Sequence, residues 1–381
     1  MLELSKKLKS KIEKRKTENS LRQLTNNGNL IDFSSNDYLG LSKSKALFTA
    51  THNYLVSNEI FQNGSTGSRL ISGNHKLYSQ LENELANIHN SESALIFNSG
   101  YDANIGFFSS VPQKGDVILY DSFIHASIRD GIRLSNSKAF SYEHNNLEDL
   151  KLKLNRLPKD TEIFIVTESV FSMDGDSPDL NELINISKKF RAKLIVDEAH
   201  AFGVFGMGLA QKSKLENHFF ARIITYGKAL GTHGAVILCN TDLKEYLINF
   251  SRSFIYTTAL PPHSIASIKI GYELLLDKSE ADKLNKNIIL FKQKCKALQL
   301  DKLFISSQSA IQSCIIQGNT NIKSISSAII NKGFSVKAIL SPTVQKNKER
   351  LRFCIHSFNT QSEIDEVLEL LKDNLQFIET K

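Results

Sequence analysis

At 381 residues, 41% hydrophobic and 23% charged with only 6 prolines, the chain can build two domains around a sizeable core, and its composition excludes a disordered or fibrous protein. The formal charge of +7 is uneven: residues 1–22 hold eight Lys and Arg against three Glu, +5, leaving +2 for the rest, with no interleaved aromatics in the basic segment to mark a nucleic-acid surface. Cys239, Cys295, Cys314 and Cys354 form no CxxC pair, so neither a metal site nor a disulfide framework is expected, and no apolar run approaches the ~18 residues of a membrane helix.

In the first segment Leu4, Leu8 and Ile12 fall at helical spacing, which predicts a solvated helix resting one stripe on the body; the sharper alternative is a patch for a polyanionic ligand. Glu3, Glu13 and Glu18 and the lack of an apolar h-region predict neither a secretory signal nor an organelle presequence, so a cytoplasmic protein without a membrane partner is expected. "NLIDFSSNDYLGLS" (29–42) reads as a short strand entering a turn.

From residue 45 to 272, short apolar runs alternate with helical patterns such as "DLNELINISKKF". The expected strands are 93–98, 116–120, 162–168, 193–199, 222–227 and 234–240, an alternation that predicts an α/β fold with a mostly parallel sheet covered on both faces. Only residues 228–233 separate the last two strands, too few for a crossover helix, so that pair should be antiparallel. A long helix over 262–298 should lead to a small C-terminal α+β domain with strands in "SCIIQG", "FSVKAIL" and "RLRFCIHS" and an amphipathic helix over 361–379. The expected division is an N-terminal helix and arm (1–44), a large α/β domain (45–275) and a small C-terminal domain (276–381).

Ligands in open α/β sheets bind at strand ends. "LIVDEAHAFG" puts Asp197 at the end of a buried strand, followed by Glu198 and His200; a capping aspartate in a turn is the alternative. "DEAH" also occurs in helicase-type ATPases, but the chain has no GxxxxGK[ST] loop, and Ala229 follows Lys228 where a magnesium-binding hydroxyl is required. A second set of residues satisfies one chemistry together. Lys228, in "ITYGKALGTHGA", sits at a tight turn where a partly desolvated amine can condense with a carbonyl. Pyridoxal phosphate needs such a lysine, and a carboxylate to keep its ring nitrogen protonated, for which Asp197 is the candidate. "FNSGYDANIGFF" offers a helix start near Tyr101 for the phosphate, Thr225 a hydroxyl, and His125 a cover for the ring, although a lone loop histidine is commonly a packing residue.

The motifs "DFSSNDYLGLS", "GSTGSRLISGNHKLYSQLE", "FNSGYDAN", "DSFIHASI", "TESVFSMDGD", "VDEAHAFGVFG" and "TYGKALG" together resemble the α-oxoamine synthases among fold-type-I pyridoxal-phosphate enzymes, over nearly the whole chain. The resemblance implies that Lys228 holds the cofactor covalently, Asp197 pairs with the pyridine nitrogen, His125 stacks on the ring, and His200 and Ser172 lie near its phenolic oxygen. Thr225 with the backbone of Gly100 and Tyr101 would bind the phosphate, and Thr257 and Thr258 would reach the phosphate of a neighbouring subunit in a homodimer. Asn36 and Thr343 would approach the substrate, and Arg22 would meet a carboxylate at the far end of the acyl chain.

The implied reaction is a decarboxylating condensation of L-alanine with a pimeloyl thioester, on CoA or a carrier protein, as used in biotin biosynthesis. Sister reactions are glycine with acetyl-CoA and serine with a long acyl-CoA, and a non-catalytic binding protein on the same scaffold is a further alternative. One departure touches substrate choice. Where the family usually has an arginine two residues before a Pro-Thr pair, this chain has Leu340, leaving Arg350, Arg352 or His356 as candidates for the amino acid's carboxylate.

Overall fold

All six apolar runs are strands in the computed structural model, which describes residues 3–18, 20–22, 24, 28–341 and 343–379. A two-residue strand, β1 (Ile31–Asp32), precedes them. Then β2 (Ser93–Phe97), β3 (Val117–Asp121), β4 (Lys138–Tyr142), β5 (Ile163–Glu168), β6 (Lys193–Asp197), β7 (Ala221–Thr225) and β8 (Ala235–Cys239) form one sheet in the order β2-β8-β7-β6-β5-β3-β4. Every pairing is parallel except the two made by β8, which runs antiparallel to β7 and to β2. The six-residue link after β7 thus does what its length requires. The edge strand β4 was not expected: in "KAFSY" only Tyr142 is buried, so no apolar run marks it.

The two-residue period of the strands supplies both faces of the sheet. Ile118, Phe164, Val166, Ile195, Ile223 and Ile237 point into one core with Phe107, Phe108 and Ile128 from the helices Gly100–Ser110 and Ala126–Leu134. Their neighbours Val117, Leu119, Ile163, Ile165 and Leu194 point into a second core with Leu150, Leu154, Leu180 and Leu183. At roughly 25 cal/mol per Å² of apolar area removed from water, these two layers are the main force holding the strand ends in register. The helices Gly100–Ser110 and Ala126–Leu134 touch closely because Gly131 has no side chain, and a Cβ there would sit 2.9 Å from the carbonyl oxygen of Asn104.

The described residues fall into two compact units, one from 36–285 and 356–358, which holds the seven-stranded sheet, and one from the remainder. In the latter, β9 (Ile311–Ile315), β10 (Phe334–Ser335), β11 (Lys337–Ile339) and β12 (Arg350–Cys354) follow, with β11-β12-β9 an antiparallel sheet and β10 paired in parallel with β1. The stretch expected as one strand over 334–340 is therefore two, split at Val336. The expected 262–298 helix is also two, Pro262–Leu275 and Ser279–Ala297, separated where Lys278 adopts φ 56°, a left-handed conformation that ends a helix. The helix Lys6–Thr17 forms but buries no residue, and Leu4, Leu8 and Ile12 remain 51%, 50% and 41% exposed. With Leu8 and Ile12 its only apolar side chains, it has too little surface to hold a stripe against the body. The terminal helix Gln361–Glu379 matches its expected span.

Candidate functional site

At the C-terminal end of the sheet, β6 stops at Asp197 and β7 leads through Thr225 into the turn that carries Lys228. Between them and the start of the helix Gly100–Ser110 lies a cavity of about 140 Å³, lined by Gly100, Tyr101, His125, Asp197, His200, Thr225 and Lys228 among others. Seven residues singled out in the sequence are thus brought together.

Lys228 is bonded to protein and half-buried: its Nζ lies 2.8 Å from Nε2 of His200. The other ring nitrogen of His200, Nδ1, lies 2.7 Å from the hydroxyl of Tyr38, which is wholly buried and donates to Oδ1 of Asn36 at 3.2 Å. A hydroxyl has one proton. With it given to Asn36, His200 donates from Nδ1 to Tyr38 and presents the lone pair of Nε2 to the lysine. Asn36 therefore reaches the site through Tyr38 and His200 and does not itself line the cavity.

Asp197 is 6% exposed and both its oxygens are held: Oδ1 accepts from the N–H of Ala199 at 2.9 Å, Oδ2 from the side chain of Asn104 at 2.9 Å. Asn104 also donates to Ser127 Oγ at 3.0 Å, and Ser127 Oγ lies 2.7 Å from Nδ1 of His125. Because the backbone N–H of Ser127 also donates to that Nδ1, at 3.2 Å, the nitrogen is an acceptor and the serine hydroxyl donates to it. His125 is exposed at the cavity rim, yet its ring lies far enough into the protein for desolvation to lower its pKa; the charge of Asp197 opposes this and that of Lys228 adds to it. Exposure and depressed pKa are compatible because the ring nitrogen that bonds Ser127 faces inward while the residue as a whole keeps solvent contact.

Ser99 caps the helix Gly100–Ser110, its Oγ accepting from Asp102 N at 3.1 Å. The next N–H groups, of Gly100 and Tyr101, have no carbonyl a turn earlier in the helix to bond to, which makes this end a place for an anion. Tyr101 turns its own hydroxyl outward to Asp130 at 2.9 Å. Ser172 is buried in the turn after β5 and does not line the cavity. Nor do Thr257 and Thr258: Asn98 ties them to the end of β2, its Nδ2 donating to Thr257 Oγ1 at 3.0 Å and to the carbonyl of Thr258 at 2.7 Å. Arg22 and Thr343 belong to the other unit, both exposed, with Thr343 N donating to Leu340 O at 2.9 Å. There too Arg350 and Arg352 lie buried on β12, where Arg352 Nη1 is 2.9 Å from Cys354 Sγ. His356 is buried in the sheet-bearing unit and stacks on Phe358 at 4.7 Å.

The sequence reading missed Tyr38, Asn104, Ser127 and Glu168. All four stood inside the quoted motifs, and Glu168 ends a buried strand as Asp197 does. For Asn104 and Ser127 the role is three-dimensional: Asn104 bonds Asp197, and Ser127 bonds Asn104. A further titratable group, at the ends of β3 and β4, also went unmarked: His144 bridges Asp121 (Nδ1–Oδ1 2.9 Å) and Asp176 (Nε2–Oδ2 2.8 Å).

The aminotransferase class I and II family model matches residues 28–371. The chain belongs to that family. An 8-amino-7-oxononanoate synthase of Emericella nidulans is 40% identical, covering 92% of this chain and 90% of its own. The crystal structure of 8-amino-7-oxononanoate synthase from Francisella tularensis is 32% identical with a TM-score of 0.77, over 91% of this chain and 98% of its own. A serine palmitoyltransferase from S. paucimobilis with a bound PLP–myriocin aldimine is 26% identical with a TM-score of 0.88, over 99% and 98%. Family membership bears out the fold-type-I fold and the resemblance to the α-oxoamine synthases.

Proposed function

We propose that the protein is a pyridoxal-phosphate-dependent acyltransferase, an 8-amino-7-oxononanoate synthase that condenses L-alanine with pimeloyl-CoA or pimeloyl-carrier protein, releasing CoA or carrier and CO2, in biotin biosynthesis. One observation carries the reading: a lysine amine, a buried carboxylate and a helix N-terminus converge on one cavity in a chain 40% identical to an 8-amino-7-oxononanoate synthase. The backbone lies nearer to the serine palmitoyltransferase, but sequence identity is higher to the synthases, and a shared fold does not choose a substrate.

The residues present fit the cofactor. Gly100 leaves a bare backbone at the helix start, where a Cβ would press to 3.2 Å from Thr225 Cβ. That surface, with the Thr225 hydroxyl and the N–H groups of Gly100 and Tyr101, suits a phosphate. Lys228 is the residue to hold the aldehyde carbon, Asp197 to face the ring nitrogen, His125 to cover the ring and His200 to serve its phenolic oxygen; Ser172, outside the cavity lining, is assigned to that oxygen by the family resemblance alone. When bound, pyridoxal phosphate supplies an electron sink for the carbanion formed at the amino acid's α-carbon and again after decarboxylation. Asp197 supports that chemistry by keeping negative charge in a buried position already braced by Asn104 and the Ala199 N–H. Lys228 Nζ, steered by the Nε2 lone pair of His200, takes the α-proton and later returns it. Arg22, Asn36 and Thr343 are the substrate residues in this reading.

We further infer a homodimer, in which Thr257 and Thr258 serve the partner's phosphate; their placement away from this chain's own cavity supports it. Four buried cysteines, none of them in a disulfide, support a cytoplasmic location. No helix among the described residues is long and apolar enough to cross a membrane.

Assay of the purified holoprotein with L-alanine plus pimeloyl-CoA, glycine plus acetyl-CoA, and L-serine plus palmitoyl-CoA tests the function. Turnover of the first pair is expected to exceed the others; turnover of only the second or third transfers the protein to a sister activity.

A further inference from the structure

Two acidic side chains, not one, line the cavity. Glu168 ends β5 as Asp197 ends β6, and the two residues are register partners in that parallel pair, so their side chains leave the sheet on the same side. Asp197 has a hydrogen bond to each oxygen, whereas Glu168 is 2% exposed and its Oε1 has no partner among the described residues. A buried polar atom left in this state costs free energy unless something fills the role. Glu168 lines the same cavity as Lys228.

We propose that Glu168 is a further residue of the cofactor site: it stands in the cavity as a neutral carboxylic acid and donates its proton, in a hydrogen bond, to an acceptor oxygen of the bound group. The proposal rests on the pyridoxal-phosphate reading above. A carboxylate at Glu168 would put two negative charges on adjacent buried strand ends, offset among the described residues by Lys228 and the His125 N–H. The groups facing Glu168 pull both ways, and burial with like charge outweighs the rest. Burial and then the charge of Asp197 on β6 raise its pKa well above the carboxylate range; Lys228 after β7 and the backbone N–H of His125 oppose this, and Asp121 on β3 adds to it. Glu168 therefore keeps its proton. The acid then has a donor and no acceptor until a ligand brings one.

The arrangement divides the work between like residues. Asp197 supplies charge to a cationic ring nitrogen, and Glu168 supplies a neutral donor without adding charge, much as two carboxyl groups in one site take different roles when their surroundings separate their pKa values. Glu168 would thus act as a positioning residue, setting how the flat ring sits against the sheet edge.

Titration of the apoprotein with pyridoxal 5′-phosphate, followed by absorbance, tests this in wild type, Glu168→Gln and Glu168→Leu. Gln keeps a neutral donor and is expected to bind within about threefold of wild type; Leu fills similar space without a donor and should bind at least ~10-fold more weakly. Infrared spectra of the wild-type holoprotein should show a protonated carboxyl band that is unchanged between pH 6 and 8 and absent in Glu168→Gln, a signature that a purely structural residue would not require. If Glu168→Leu binds as wild type, if Glu168→Gln is as weak as Leu, or if no such band is present, the assignment is overturned. A wild type that takes up no pyridoxal phosphate overturns the functional reading and this assignment with it.

Discussion

Lys228 Nζ and His200 Nε2 lie 2.8 Å apart, and behind that contact His200 Nδ1 is fixed 2.7 Å from the hydroxyl of the wholly buried Tyr38. The lysine is aimed by a relay that begins 190 residues earlier in the chain, in the "SSNDYLG" turn. Tyr38→Phe keeps the ring in place but removes the hydroxyl that bonds His200 Nδ1. The expected cost is about 1–3 kcal/mol of stability. Because the Tyr38 hydroxyl then no longer helps select the His200 tautomer, the pH–rate profile should shift as well. Calorimetry and kcat across pH check both, and an unchanged profile would show that the relay does not steer the lysine.

Asp197→Asn preserves the side-chain oxygen that accepts from Ala199 but removes the charge. Cofactor affinity should fall and kcat should drop by about 10²–10³, the range seen when one electrostatic partner of a transition state is removed. Circular dichroism should be unchanged. A variant with wild-type kcat would mean that no ring nitrogen depends on this carboxylate.

The adjacent acid does different work. Glu198 faces away from the cavity and pairs with Arg222, Oε2 to Nε at 3.0 Å, while Oε1 accepts from Ala210 N at 2.9 Å, with both side chains almost wholly enclosed. Arg222 also donates to the carbonyl of His89 at 3.0 Å. Glu198→Ala leaves a buried guanidinium without its counter-ion, so unfolding should be about 3–5 kcal/mol easier. Pyridoxal-phosphate affinity in the folded fraction should change little. Denaturant melts and cofactor titration separate the two effects.

His144 makes stability depend on pH in a stated direction. Burial alone would lower its pKa, but hydrogen bonds to Asp121 and Asp176 and their charges overcome this and raise it to about 9. Since the folded pKa exceeds the ordinary unfolded value of ~6.5, the contribution is fully present below that pH and is lost as pH rises through about 9. With solvent screening, a loss on the order of 1–3 kcal/mol is expected. Melting temperatures of wild type and His144→Gln between pH 6 and 10 should converge at the alkaline end, and parallel curves would contradict the pairing.

The residues legible in the sequence are those with a local signature. Continuous apolar runs marked six strands because strands buried on both faces need them, and the short link after Thr225 dictated an antiparallel partner. Asp197 and Lys228 stood out as polar residues at such strand ends. What escaped has non-local causes. Strand β4 is held by pairing with β3 and not by its own burial, and the helix break at 276–278 follows from a backbone conformation at Lys278 that no helix-breaking residue announces. Asn104 bonds Asp197 from a distant part of the chain, and Ser127 bonds Asn104 where Gly131 lets two helices close up. Glu168 shared the strand-end position of Asp197, and the same argument applied one strand over would have found it.

The most direct measurement is borohydride reduction of the holoprotein followed by peptide mapping. The reduced pyridoxyl label should fall on Lys228 in the wild type and be lost in Lys228→Ala. Label on another lysine, or on none, would contradict the assignment of this cavity.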